Sequence, residues 1–235
     1  MHELCVHGLN VPLDRSEISP VIWAALSDGT YEQKESYIAP RIARPNDRIL
    51  ELGCGLGIVS TLVSRVPGVS IKAFDANPAN IPLAKRVAKA NSADNIVFSH
   101  GLLSAGNPRT LPFYIREDMW MSSLVKEQGP YEKIIDVYTQ DIDGYLYDNP
   151  TDLIIMDIEG AELALLTGSS LPGVERIFFE IHDHLYLLSD LGRISAALVT
   201  QGFSYDPRGS SGALVLYTRD NTPRSYRPDF LTDAP

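Results

Sequence analysis

Four short stretches of this chain gather residues whose types and spacing suit ligand chemistry better than packing. The first is Glu51-Leu52-Gly53-Cys54-Gly55-Leu56-Gly57. Glycines spaced this way let a backbone turn tightly and approach a bound nucleoside closely. The second is Asp75, 20 residues after Gly55, where a carboxylate can accept hydrogen bonds from both hydroxyls of a ribose. Its neighbours Ala76, Asn77 and Pro78 also make good turn chemistry, so Asp75 has a second reading as a helix cap. With Asn77 as the cap, Asp75 is left free for the ligand.

The third stretch, Met156-Asp157-Ile158-Glu159-Gly160-Ala161-Glu162, sets two carboxylates beside a glycine that permits a sharp turn. Acids at the end of an apolar run are costly unless something pairs or uses them, so Asp157 and Glu159 are candidates for the reacting centre. Glu162 suits the first turn of the next helix, where its charge complements the dipole. The fourth stretch is Glu180-Ile181-His182-Asp183-His184. A histidine with an ordinary pKa of about 6.5 can take a hydroxyl proton, which makes His182 the third catalytic candidate. Two other readings stay open. Glu180, His182 and a carboxylate from Asp157 or Glu159 could bind a metal, or the loop is polar and inert. No His-x-x-x-His or Cys-x-x-Cys spacing supports the metal, so none is assigned.

The loop spacing bears on the ligand. A dinucleotide fingerprint reads Gly-x-Gly-x-x-Gly, but the sixth position here is Ile58. A pyrophosphate needs the open helix N-terminus that the displaced glycine helps provide. S-adenosylmethionine has no phosphate and asks only for room around its methionine and ribose. Glu51, at the head of the loop, stands where it can meet that ligand's ammonium directly or through water. The expected cofactor contacts are Glu51, Gly53, Gly55, Gly57, Asp75, Ala76 and Asn77, with Gly101 and Leu102 against the adenine. A nicotinamide-dependent oxidoreductase and a non-catalytic nucleotide-binding module are the alternatives.

The elements that must position these groups alternate as βαβ units, which implies a largely parallel sheet. Strands are expected at 48–52, 69–74, 96–99, 152–156 and 174–181, with helices at 58–66, 79–91, 161–166 and 185–201. Residues 203–206 and 213–218 read as a closing antiparallel hairpin. The region 107–138 breaks the alternation, and strands at 110–116 and 133–138 around a polar, mobile middle make an inserted β-hairpin. Tyr31, Glu32 and Glu35 fall on a helix ahead of the first strand, where they could lid the cofactor, and read rather as a solvated face. Trp120 and Met121, with Ser122 and Ser123, are placed to wall a substrate pocket. The expected fold is α/β and Rossmann-like, with a mostly parallel seven-stranded sheet.

Composition narrows the partners. The formal net charge of -10, with no basic run to override it, repels a phosphate backbone and argues against nucleic acid. Two cysteines, Cys5 and Cys54, are too few for a disulfide framework. No apolar stretch approaches the roughly 20 residues needed to cross a bilayer, and Met1 to Cys5 show no signal-peptide pattern. A cytoplasmic protein with a small-molecule acceptor is expected. The length suits one domain: an N-terminal extension over 1–40, a core over 41–218 and a tail over 219–235.

Taken together, Glu-Leu-Gly-Cys-Gly-Leu-Gly, Asp75, Ile-Met-Asp-Ile-Glu-Gly-Ala-Glu and Phe-Phe-Glu-Ile-His resemble the FkbM-type family of methyltransferases. The resemblance runs from about Tyr31 to Ile181, and Asp-Ile-Glu-Gly-Ala-Glu is its more specific part. It implies an S-adenosylmethionine site at Gly53, Gly55, Gly57 and Asp75, with Asp157 and Glu159 near the transferred methyl. It also accounts for the inserted strands. The usual acceptor it implies is a hydroxyl on a natural product or sugar. The chain departs from the family in the first loop, where Asp-x-Gly-Ala-Asn-x-Gly is usual, and its first 30 residues match no pattern.

Overall fold

The computed structural model describes residues 4–219. Met1 to Glu3 and, apart from Arg219, the expected tail over 219–235 lie outside them. The N-terminal extension is more than helical. A small antiparallel hairpin, β1 (Leu4–Val6) and β2 (Leu9–Val11), precedes α1 (Pro20–Asp28) and α2 (Gln33–Ile42). Ser19 caps α1 by accepting from the Ile22 amide, and Pro20 fills its first turn, where no amide is needed. Val6, Leu9 and Val11 bury completely against α1 and the first helix of the core.

Alternating strands and helices follow: β3 (Arg48–Leu52), α3 (Ile58–Val63), β4 (Ser70–Asp75), α4 (Asn80–Ala90) and β5 (Ile96–His100). After an insertion, α5 (Ile142–Asp148), β9 (Leu153–Met156), α6 (Glu162–Gly168), β10 (Arg176–Glu180), α7 (Leu188–Thr200), β11 (Ser204–Tyr205) and β12 (Leu214–Thr218) complete the core. The main sheet has the order β11-β12-β10-β9-β3-β4-β5. The five strands from β5 to β10 are parallel neighbours, and β12 runs antiparallel to both β10 and β11. The chain builds outward from β3 in one direction and from β9 in the other. A crevice therefore opens above the carboxyl ends of β3 and β9, the place where open α/β sheets bind ligands.

Alternation along β3 decides which groups face which layer. Ile49 joins the core under α2, α3 and α4, while Leu50 and Leu52 join the core under α5, α6 and α7. Glu51 shares its face with Ile49 and is only 3% exposed, a carboxylate built into an apolar layer.

The insertion is a separate three-stranded sheet rather than a hairpin alone. β7 (Thr110–Ile115) pairs antiparallel with β8 (Lys133–Asp141), as expected, and β6 (Leu102–Ser104) adds a parallel third strand. Three residues are too few to show a period, which is why β6 has no sequence signal. The middle expected to be mobile is folded around buried Arg116. Its guanidinium donates to the carbonyls of Tyr114 (3.2 Å), Met121 (3.1 Å) and Val125 (2.8 Å) and to Ser123 Oγ (3.3 Å).

Arg176 opens β10 as a buried cation and donates to Asp47 Oδ1 at 2.6 Å and to the Ile42 carbonyl at 2.8 Å. The pair ties the end of α2 and the start of β3 to β10. Removing one member leaves the other charge buried alone. Asp47→Ala is expected to lower unfolding free energy by about 3–5 kcal/mol, read from urea denaturation. A midpoint equal to that of the unmodified protein would remove this pair from the account of stability.

Candidate active site

The glycine loop follows β3 and lies directly over the crevice. Gly53 has φ 84, and a Cβ there would stand 1.7 Å from the Asp157 carbonyl oxygen. No side chain fits in that gap, so the end of β3 and the turn after β9 can touch only through glycine. The Gly53 and Cys54 amides both donate to the Phe74 carbonyl, at 2.9 and 3.0 Å, which locks the loop to the end of β4.

Asp75 is 7% exposed and accepts three hydrogen bonds. The Gly55 amide reaches Oδ2 at 2.8 Å, Asn80 Nδ2 reaches the same oxygen at 3.1 Å, and the Asn77 amide reaches Oδ1 at 2.7 Å. Contrary to the expectation that Asn77 as cap leaves it free, the side chain is engaged by these three donors. Asn77 accepts from the Ala79 amide at 3.1 Å and closes the turn ahead of α4. Burial raises the Asp75 pKa, opposed by these three donors. Oδ1 retains capacity for one further donor.

A cleft of about 1040 Å³, open to solvent at its mouth, spreads from this loop to the insertion. Gly53, Gly55, Asp75, Ala76, Gly101, Leu102, Asp157 and Glu159 line it. Gly57 and Asn77 do not; Gly57 instead lets α3 pack on Ala84 and Phe98. Glu51 lines a smaller neighbouring cavity of about 370 Å³, which shares Glu32, Leu52, Gly53 and Asp157 with the main cleft. Tyr31 and Glu32, read from the sequence as a solvated face, are a correction. Tyr31 is 2% exposed, Glu32 takes φ 47, and both line the cleft because the chain bends inward between α1 and α2. Trp120 stacks on Tyr31 with ring centroids 5.8 Å apart, and Met119, Ser122 and Leu124 continue that wall. Met121 points out and stays exposed.

The smaller cavity is strongly acidic. Glu32, Glu35, Glu51, Asp157 and Glu180 line it, with no Lys or Arg among its described lining residues. Burial raises the pKa of all five, and the charges of neighbouring carboxylates raise those of Glu32, Glu51, Asp157 and Glu180 further. Glu51 is pushed up to about 8. Glu51 Oε2 and Glu32 Oε2 are buried without a hydrogen-bond partner.

The turn after β9 carries the other candidates. Glu159 has φ 50 and Gly160 φ 95, left-handed conformations that turn the chain sharply. Gln128 Nε2, from the insertion, donates to Glu159 Oε2 at 2.8 Å and holds the strained residue. Glu162, expected only to complement a helix dipole, is fully buried, and its Oε1 accepts from the Ile158 amide at 3.2 Å and from His182 Nδ1 at 3.1 Å. The other ring nitrogen, Nε2, stands 3.4 Å from Asp157 Oδ1 and 3.6 Å from Glu159 Oε2. Burial works against a charged His182, but Glu159, Glu162 and Asp157 outweigh it and push the pKa up to about 11. The surrounding carboxylates thus favour the protonated ring, away from the near-neutral base its ordinary pKa suggests. His184 lies beside it, with ring centroids 5.9 Å apart.

The methyltransferase FkbM domain model matches residues 32–205 of this chain. The chain belongs to the FkbM methyltransferase family. It is an S-adenosylmethionine-dependent methyltransferase, and the oxidoreductase and non-catalytic alternatives fall away. The methyltransferase is also similar to ribosomal protein L11 methyltransferase of Acetivibrio thermocellus, 26% identical over 81 residues, which are 34% of this chain and 26% of that protein. The match spans about a quarter of that relative. Among solved structures, precorrin-6y C5,15-methyltransferase from Geobacter metallireducens is 13% identical with a TM-score of 0.47, over 83% of this chain and 82% of the other. Ribosomal protein L11 methylase from Lactobacillus delbrueckii subsp. bulgaricus is 16% identical with a TM-score of 0.48, over 80% and 77%. Likeness at this level extends to neither acceptor nor mechanism.

Because folding raises the Glu51 pKa from 4.5 to about 8, the favourable contribution is complete below pH 4.5 and is lost as pH rises through about 8. In the ligand-free methyltransferase, Glu51→Gln should therefore gain stability over the unmodified protein across that window, by an amount on the order of a few kcal/mol. Urea midpoints at pH 5 and pH 9 measure it. Equal pH dependence in both proteins would show that Glu51 does not titrate there.

Proposed function

We propose that this methyltransferase moves the methyl group of S-adenosylmethionine to a hydroxyl oxygen of a small molecule or sugar. The observation that carries the reading is the meeting of the acidic cavity and the main cleft at Asp157. A ligand with an ammonium and a sulfonium suits a cavity of carboxylates whose pKa values are raised by burial and, for four of the five, by neighbouring acids. Its methionine end belongs beside Gly53, with the ammonium toward Glu51 and Glu32. The ribose then reaches Asp75, where the remaining capacity of Oδ1 supports one hydroxyl rather than the two expected from sequence. Ala76 lies beside the ribose, and Gly101 and Leu102 border the adenine.

The acceptor enters from the insertion side, between Leu111, Phe113, Met119, Trp120 and Leu124. That wall is mostly apolar, which favours an acceptor with an apolar body, and the net charge of -10 disfavours a polynucleotide. At the floor, Asp157 or Glu159 takes the hydroxyl proton while the new oxygen–carbon bond forms and the carbon–sulfur bond breaks. The sulfonium leaves as a neutral thioether. His182, as an imidazolium, holds both carboxylates in place. Positioning supplies most of the rate in such a displacement.

With methyl-labelled S-adenosylmethionine, label should enter hydroxylated small molecules or sugars and remain absent from RNA and protein fractions. Asp75→Ala should weaken cofactor binding at least tenfold, about 1.4 kcal/mol, by calorimetric titration. Label found on RNA or protein would overturn the acceptor assignment, and full cofactor affinity in the variant would remove Asp75 from the ribose site.

A further inference from the structure

The register of the sheet brings together three groups that the methyl-transfer reading leaves only partly used. Met156 pairs with Phe179 across the parallel strands β9 and β10, so the next residues, Asp157 and Glu180, emerge side by side. His182 follows two positions later and turns back over them. One ligand atom from each of Asp157, Glu180 and His182 lies within 4.8 Å of the others. Metal–ligand bonds of about 2.0–2.6 Å place donor atoms no more than about 5 Å apart, so one ion can reach all three.

Two further observations point to a ligand in this space. The His182 side chain is only 6% exposed, and its Nε2 faces Asp157 at 3.4 Å and Glu159 at 3.6 Å, ion-pair separations without hydrogen-bond geometry. Asp157 Oδ1, the atom it faces, is buried and has no hydrogen-bond partner. Behind the ring, fully buried Glu162 accepts from Nδ1 at 3.1 Å. A carboxylate on the far nitrogen fixes the ring and leaves Nε2 aimed forward, the arrangement that supports a histidine ligand. Gln128 holds Glu159 at the rim in the same way, at 2.8 Å.

The geometry points to a divalent-cation site formed by Asp157, Glu180 and His182, with Glu162 orienting the histidine. Two carboxylate oxygens with one imidazole nitrogen suit Mn²⁺, which accepts both donor types and keeps positions open for other oxygens. The inference rests on the methyl-transfer reading, because Asp157, one of the three ligands, also lines the main cleft that the acceptor enters. There a cation lowers the hydroxyl's pKa and takes over the positive charge that His182 otherwise supplies to the surrounding acids. The proton passes to Glu159, the oxygen–carbon bond forms, and the carbon–sulfur bond breaks as before.

The test uses the full chain, freed of metal by chelator and dialysis, and titrated with Mn²⁺ by calorimetry and electron spin resonance. One Mn²⁺ should bind per chain, with spin-echo modulation from a directly bonded imidazole nitrogen. His182→Gln should abolish that modulation, and Glu180→Gln should weaken Mn²⁺ at least tenfold. Should His182→Gln fail to fold, the Glu180 variant, at a partly buried position, still decides the matter. Absence of binding, or binding unchanged in Glu180→Gln, would overturn the site. Titration of the same metal-free sample with S-adenosylmethionine reports separately on the cofactor, so the two readings fail distinguishably.

Discussion

Everything at this site turns on an imbalance of charge. Six acidic side chains, Glu32, Glu51, Asp157, Glu159, Glu162 and Glu180, crowd the carboxyl ends of β3, β9 and β10, and the imidazole of His182 is the cation in contact with three of them. A buried carboxylate without a partner is costly, and burial with mutual repulsion raises the pKa values of Glu32, Glu51, Asp157 and Glu180. That is a poor arrangement for an empty scaffold and a good one for a cationic ligand. In the proposed pose the ammonium and the sulfonium of S-adenosylmethionine each find a carboxylate to pair with.

The scaffold exists to hold that imbalance. The strand order reverses between β3 and β9, so the two loops that follow them meet over one crevice. Gly53 lets them touch through backbone alone, and the hydrogen bonds that the loop donates to the Phe74 carbonyl and to Asp75 fix it from the side of β4. On the other flank, Arg116 organises the insertion, and Gln128 from that insertion reaches Glu159. The insertion and the turn after β9 are thereby joined by a direct hydrogen bond. The strained φ of Glu159 persists because Gln128 and the packing of Leu185 and Val125 around Gly160 leave it no alternative.

Local signals in the chain were enough to place the core. The glycine triplet, the strand-end acids and the alternation of apolar runs with amphipathic ones mark β3, β4, β5, β9 and β10 and the helices α3, α4 and α6 within a few residues. What local pattern cannot show is distance. Glu162 looked like a first-turn acid because its neighbours in sequence are helical, whereas its function depends on His182, 20 residues away. Glu32 and Tyr31 looked solvated because α2 is amphipathic, yet the left-handed turn at Glu32 folds them under the cofactor loop. The near-neutral pKa assigned to His182 failed for the same reason, as three acids from a different strand end set it. β6 was invisible because three residues carry no period, and the folded middle of the insertion because a single buried arginine organises it.

The most direct measurement is a crystal structure of the full chain with S-adenosylhomocysteine. The account predicts the amino group of its homocysteine in the acidic cavity beside Gly53, facing Glu51 and Glu32, one ribose hydroxyl on Asp75 Oδ1, and the sulfur directed toward Asp157. An amino group lying instead beneath Trp120, with the acidic cavity empty, would contradict the claim that the charge imbalance is what recognises the cofactor.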